Sequence, residues 1–206
     1  VLDWIEPDWV LDTSTGKWSG RGLHRRPKIE VDVWETDWRF WPLFEPHHYL
    51  KLPRMIAATC YVATVGGEPV AHLAVGTGPG LREARACRLV VMPEWQGAGV
   101  GMRFLNTICE RWMQGENRYG ARVPTMFHTS HPGLCAALRR DRRWRQVSAS
   151  QGGVNKRASE SSITASLHAA GCPDRRGVNV GYGGHLRAVQ GFRYYGQAGV
   201  VAESRA

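Results

Sequence analysis

Residues 87–112, CRLVVMPEWQGAGVGMRFLNTICERW, constrain the fold more than any other stretch of this chain. Leu89-Val90-Val91-Met92 is a short apolar run that Pro93 interrupts. Three glycines at alternate positions follow, in Gln96-Gly97-Ala98-Gly99-Val100-Gly101. From Val100 onward, Phe104, Leu105, Ile108 and Trp112 recur at helical spacing. The pattern predicts a strand, a tight loop and a helix that opens out of the glycines. A helix start of this kind presents unpaired N–H groups and the positive end of the helix dipole, which together make an anion site. Glycine at 97, 99 and 101 lets a phosphate reach the backbone with no Cβ in the way.

Two phosphate motifs do not fit. A P-loop needs Lys followed by Ser or Thr after its last glycine, and here Met102-Arg103 stand there. The dinucleotide fingerprint needs Gly-x-Gly-x-x-Gly, whereas the spacing is Gly97-x-Gly99-x-Gly101. What fits is Gln-x-x-Gly-x-Gly, read at Gln96, Gly99 and Gly101 behind Pro93-Glu94-Trp95. This resembles the acyl-CoA loop of the GNAT acyltransferases. The resemblance implies that Leu89, Val90, Val91 and Met92 form the strand edge for the pantetheine arm. It also implies that Gln96, Gly97, Ala98, Gly99, Val100, Gly101, Met102 and Arg103 cradle the pyrophosphate, with acetyl-CoA or another acyl-CoA as the donor.

The rest of the chain reads in a compatible order. Residues 1–25 carry Trp4, Trp9 and Trp18 with no period, as an N-terminal extension would. Lys28 to Trp34 alternates like a first strand. Residues 35–52 are aromatic and broken by Pro42 and Pro46, which suits short helices lining a pocket. Ala58–Val65 and Pro69–Val75 flank Gly66-Gly67-Glu68 as a hairpin, and Ala84–Met92 leads into the glycine loop. Val123–His128 reads as a strand, Pro132–Arg140 as a helix with proline at its start, and Trp144–Ala149 as another strand. Residues 150–184, rich in Gly, Ser and Asn, read as a loop insertion. His185–Tyr195 is the last strand and 197–206 a tail. The expected fold is α/β, a mixed central sheet flanked by helices in GNAT order over residues 26–196.

At 206 residues and 43% hydrophobic content, a disordered chain is excluded. No apolar run is long enough to span a bilayer, no secretory leader is read, and the absence of an initial Met suits a fragment or a processed product. Cys60, Cys87, Cys109, Cys135 and Cys172 are scattered without a CxxC pair, which fits reduced core thiols in a cytoplasmic protein. The net charge of +9 favours acidic partners, nucleic acid (DNA or RNA) and CoA among them. The oligomeric state is not readable.

Acyl transfer to an amine needs a deprotonated nitrogen, a polarised carbonyl and a proton for the leaving thiolate. By resemblance, a backbone N–H within Val90–Met92 polarises the carbonyl, and a tyrosine on the helix after the next strand donates the proton. Pro132–Arg140 departs from that pattern: it has no tyrosine, and Leu138 stands near the expected place. Ser130 and His131 are substitutes, as a histidine titrates near neutrality. His48 and Tyr49, in the aromatic region, are candidates for orienting or deprotonating the acceptor. Glu83 and Glu94 are further candidate bases. The spacing of His128, His131 and Cys135 also suits a metal corner, although ligands on one short segment are common by chance, and no metal is expected.

Arg139, Arg140, Arg142, Arg143 and Arg145 follow the same helix. With Trp38, Trp41 and Trp144 as stacking surfaces they form a candidate nucleic-acid track. The segments His48-Tyr49-Leu50 and RLVVMPEWQG also resemble GNAT-fold proteins related to the phage Mom DNA-modification family. That implies a nucleobase acceptor, with adenine modification from a non-acetyl donor as an alternative. A non-catalytic GNAT-like binding module is a further alternative.

Overall fold

The computed structural model describes residues 9–20, 29–49, 55, 57–150 and 188–196. The chain divides into two compact units, Val1–Val31 and Asp32–Ala206. The expected insertion beyond Ser150, with Lys156, Arg157, Cys172, Arg175 and Arg176, lies outside the described residues, as does the 197–206 tail.

In the first unit, β1 (Trp9–Asp12) and β2 (Lys17–Gly20) form an antiparallel hairpin, with Trp9 opposite Gly20 and Asp12 opposite Lys17. Asp12 builds the turn. Its carboxylate accepts from the Ser14 N–H at 2.9 Å and the Ser14 hydroxyl at 2.6 Å, and Gly16, at φ +68, donates to the Asp12 carbonyl at 2.7 Å. The Ser14 and Thr15 hydrogen bonds hold the Asp12 carboxyl down at about 2. This hairpin is absent from the sequence reading because most of its residues are exposed, so no apolar alternation marks it.

The second unit is a seven-stranded sheet in the order β3-β4-β5-β6-β7-β9-β8. The strands are β3 (Asp32–Thr36), β4 (Ala58–Val65), β5 (Glu68–Thr77), β6 (Ala84–Val91), β7 (Thr125–Thr129), β8 (Trp144–Ser150) and β9 (Val189–Tyr194). Every neighbour pair is antiparallel except β6 and β7. Strand β3 starts later than expected, at Asp32, and the β4–β5 turn falls on Gly66-Gly67, both at positive φ.

Helix α2 (Val100–Gln114) turns Val100, Phe104, Leu105, Ile108, Cys109 and Trp112 inward, all buried. The Trp112 Nε1–H donates to the Tyr61 hydroxyl on β4 at 3.0 Å, so the helix is tied to the sheet by a buried hydrogen bond as well as by packing. The other face is covered by α1 (Trp41–Phe44) between two 3-10 turns, Trp38–Phe40 and Glu45–His47. Pro42 and Pro46 sit in the first turns of these pieces, where the missing N–H costs nothing. Trp41 and Phe44 pack on Val62 and Val90, with Trp38, Phe40 and Met92 around them. Helix α3 (Pro132–Arg140) has the bounds its sequence predicts.

Candidate functional site

The site is built where β6 and β7 part. They pair in parallel over only three positions, Ala84–Thr125, Arg85–Met126 and Ala86–Phe127. Beyond Ala86, β6 follows β5 instead, and a bulge bends it: Ala74 faces Cys87 and His72 faces Val90, so Leu73 stands opposite two residues. Arg88 takes φ +56 there, a left-handed conformation that costs a non-glycine residue about 1 kcal/mol. The result is a fork. One prong is residues 87–91 and the other is the end of β7.

The fork-facing amides follow from the ladder. The Met92 N–H is spent on the Val70 carbonyl at 2.9 Å. Antiparallel alternation then assigns Val90 to β5 and leaves Leu89 and Val91 pointing into the fork. Gln96 supports this geometry, because its side-chain amide donates to the Val91 carbonyl at 3.0 Å from the loop side. Of the expected strand-edge residues, Leu89 and Val91 therefore face the fork, while Val90 and Met92 pack beneath α1.

The glycine loop closes the mouth. Gly97 and Gly99 take φ +82 and +81, and a Cβ on either would meet nothing within 4 Å, so both present bare backbone to open space. Gly99 caps α2 with no side-chain cap hydrogen bond, and its carbonyl accepts from Arg103 at 3.2 Å. The amides of Val100, Gly101 and Met102 in the first turn have no helical acceptor. Gly101 has another reason to be glycine: a Cβ there would sit 2.9 Å from Cγ2 of Val91, so the helix start rests directly on the strand end. This loop fits a pyrophosphate.

Two histidines on the β5 and β7 side of the fork were not among the residues singled out for proton transfer. His72 is fully buried, with ring centroids 5.3 Å from Trp41, 5.6 Å from Phe44 and 5.9 Å from Trp38. Its Nδ1 lies 3.5 Å from the Arg88 carbonyl at the bulge, and its buried Nε2 has no partner among the described residues. Burial pulls its pKa down to about 4. His128 is the first β7 residue past the last β6–β7 pair, on the same face as Arg85. Its Nδ1 is buried without a partner among the described residues, and its other edge lies over Gly191, where a Cβ would come within 2.9 Å of Nε2. Burial lowers its pKa, Arg85 lowers it further, and Glu83 opposes both. The signal for His128 is strand parity with Arg85, usable only once the fork is located.

The expected substitutes sit elsewhere. His131 is the N-cap of α3, its Nδ1 accepting from the Leu134 N–H at 3.2 Å, so that nitrogen is committed to the helix. Ser130 is half-buried between β7 and the cap. His48 is buried with its ring 5.6 Å from Trp41, and Tyr49, half exposed, stacks on it at 5.0 Å. Leu138 is a fully buried core residue, and α3 carries no tyrosine. Glu94 is exposed beside the loop, and Glu83 bonds Arg193 at 3.3 Å. Among the described residues no group of His, Cys, Asp or Glu side chains could hold a metal, and the Cys135 thiol faces the Thr129 carbonyl instead.

The arginine run is divided. Arg143 pairs with Asp141 at 2.8 Å, and Arg139 bonds Gln146 at 3.0 Å and also Gln190. Arg140 and Arg142 are exposed, and Arg145 lies over the Tyr195 ring at 5.4 Å. Two stacking candidates are corrected: Trp41 is in the core, and Trp144 is buried with its Nε1–H on Asn106 at 2.6 Å. Trp38 packs edge-on against Trp41. An indole this large gains more from the core than from solvent, whatever lies next to it in sequence.

Comparison with known proteins follows the same geometry. The model of the Acetyltransferase (GNAT) family matches residues 30–132, from just before β3 to the start of α3. The chain belongs to the GNAT family. No curated protein matches it in sequence. Among solved structures, an IAA acetyltransferase from Bacillus cereus is similar at 16% identity and TM-score 0.51, over 80% of this chain and 99% of that one. A spermidine N-acetyltransferase variant from Vibrio cholerae is similar at 9% identity and TM-score 0.54, over 79% and 92%. A GNAT acetyltransferase from Elizabethkingia anophelis, solved with acetyl-CoA bound, is similar at 11% identity and TM-score 0.49, over 81% and 97%. At such identities the likeness to the Bacillus cereus and Vibrio cholerae structures is one of fold. The missing α3 tyrosine is thus a departure within the GNAT family.

Proposed function

We propose that this chain transfers an acyl group, acetyl first among them, from CoA to an amine. The observation that carries the reading is the fork between β6 and β7, which ends on a glycine loop with no side-chain cap and has at its root a histidine whose buried Nδ1 is without a partner among the described residues. Acyl-CoA supplies a carbonyl activated as a thioester; the amine forms a C–N bond to it as the C–S bond breaks. The Leu89 and Val91 amides are placed to donate to the carbonyl oxygen as it gains charge. The amides of Val100, Gly101 and Met102 hold the pyrophosphate, and Gln96 keeps the loop against the strand. His128, neutral near pH 7, takes the proton from the amine and returns it to the thiolate, which does without a tyrosine on α3.

A second reading concerns the acceptor. The net charge of +9 and the exposed Arg140 and Arg142 favour an amine on a nucleic acid, such as a nucleobase in DNA, while the burial of Trp41 and Trp144 removes the stacking surfaces it would use. Its test is a mobility shift with single- and double-stranded DNA across salt. No salt-sensitive shift for either would sink it.

The main reading is tested by calorimetric titration with acetyl-CoA of the wild type and of Gly99→Glu. A glutamate at φ +81 strains the loop and brings a carboxylate to the pyrophosphate. Saturable binding that disappears in the variant is the expected result; no binding by the wild type overturns the proposal.

A further inference from the structure

On the face of the sheet that carries His128, the end of β5 and the start of β6 border a cavity of about 410 Å³. Met55, Gly76, Thr77, Arg82, Glu83 and Arg85 line it. Gly76 and Arg85 are cross-strand partners, and Arg85 pairs with Met126, two residues before His128 on β7. The cavity and the histidine therefore share one side of the sheet. Gly76 keeps the floor low: a Cβ there would come within 2.5 Å of the Met55 methyl group.

The charges of the lining are unequal. Among the described residues of the lining Glu83 is the one carboxylate, and it is bonded to Arg193 from β9 at 3.3 Å. Neither the Arg82 nor the Arg85 guanidinium has a hydrogen bond or ion pair among the described residues. Two guanidiniums in a concave wall, with their one acidic neighbour already engaged, present donor forks suited to a carboxylate or a phosphate. A polycationic acceptor would meet repulsion on the same wall. Arg85 stands opposite Met126, two residues before His128 on the same face of the sheet, so an anion held by Arg85 lies on the side that carries the base.

We propose that this cavity is the acceptor pocket and that its acceptor is an amine bearing a carboxylate or phosphate, held by Arg82 and Arg85. The proposal rests on the acyl-transfer reading above and names the substrate class of that site. Amine and acid are separated by a few bonds in such a molecule, as in an amino acid or a phosphorylated amino alcohol.

The test measures CoA release from acetyl-CoA with matched amines: L-phenylalanine against its amide for the carboxylate, and phosphoethanolamine against ethanolamine for the phosphate. In at least one pair the acid-bearing member is expected to have a kcat/KM at least tenfold higher. Arg85→Gln and Arg82→Gln are each expected to reduce that preference severalfold with acetyl-CoA affinity unchanged by calorimetry, and Arg85→Lys to restore part of it. Equal use of both members, a preference that survives both Gln variants, or no turnover of either acid-bearing amine by a protein that binds acetyl-CoA overturns the proposal. Failure of the wild type to bind acetyl-CoA is a separate result, which removes the acyl-transfer reading first and this one with it.

Discussion

At Gly191 a hydrogen stands where any side chain would strike both the Ser148 hydroxyl and the His128 ring. Two predictions follow from that contact. His128→Asn keeps the volume roughly and loses the base, so kcat/KM should fall by about 10² or more with acetyl-CoA affinity unchanged, as steady-state kinetics and calorimetry would read it. A fall below about threefold would assign the proton to another group. Gly191→Ala should lower activity by pushing the ring aside and cost about 1–3 kcal/mol in urea unfolding. The charges facing His128 are Arg85 and Glu83, with Arg193 bonded to Glu83. Removing the carboxylate by Glu83→Gln takes away an influence that raises the His128 pKa, so the acidic limb of the pH–rate profile should move to lower pH.

Elements define the site more firmly than single residues do. Val91 ends β6 and Gly101 sits in the first turn of α2, and their contact sets how the glycine loop is held. Gly101→Ala should destabilise by about 1–3 kcal/mol and weaken acetyl-CoA binding. Adding Val91→Ala should restore much of both in a double-mutant cycle, because the clash is with that one methyl group. His72 gives the bulge an acid sensitivity. The unfolded chain takes a proton there near 6.5, while the folded state stays neutral down to about 4. Between those values the unfolded state binds more proton, so stability falls as the pH drops, by on the order of 3 kcal/mol in all. His72→Phe should flatten the decline of Tm from pH 6.5 to 4; an unchanged slope would place the sensitivity elsewhere. At this scale the sequence was informative where punctuation is local. Pro93, the glycines and Pro132 mark the ends of β6, α2 and α3 without reference to the rest of the chain. The β1–β2 hairpin has no buried face to print an alternation, and it stayed unread. His72 was unread for a different reason: its cage of Trp38, Trp41 and Phe44 comes from an earlier segment, and only the folded sheet brings them together.

Across the whole molecule, burial decides which chemical groups are available. Cys60 and Cys109 are buried and their thiols are pushed up to about 12, Cys87 to about 11, and Cys135 is raised as well, in each case mainly by burial. Iodoacetamide at pH 8 should therefore modify these four slowly in the native protein and rapidly in urea, as peptide mass spectrometry would show. Rapid native labelling of Cys109 would contradict the packing of α2 on the sheet. The +9 charge was legible at once, but its distribution was not. Arg139 and Arg143 belong to internal bonds that depend on Asp141, Gln146 and Gln190 arriving beside them.

Strand order has a consequence in time. Among the described strands β9 is the last to be synthesised, yet it lies between β7 and β8, both made before it. A nascent chain that has reached Ser150 holds β6 and α2 but lacks the strand that pairs with the outer side of β7 and with β8. Long-range pairing of this kind is slow, and it leaves open edges while it waits. The prong that carries His128 gains its outer partner only when residues 189–194 emerge and slide into the gap, so a chain halted before then has β6 and α2 in place and one side of the fork unsupported.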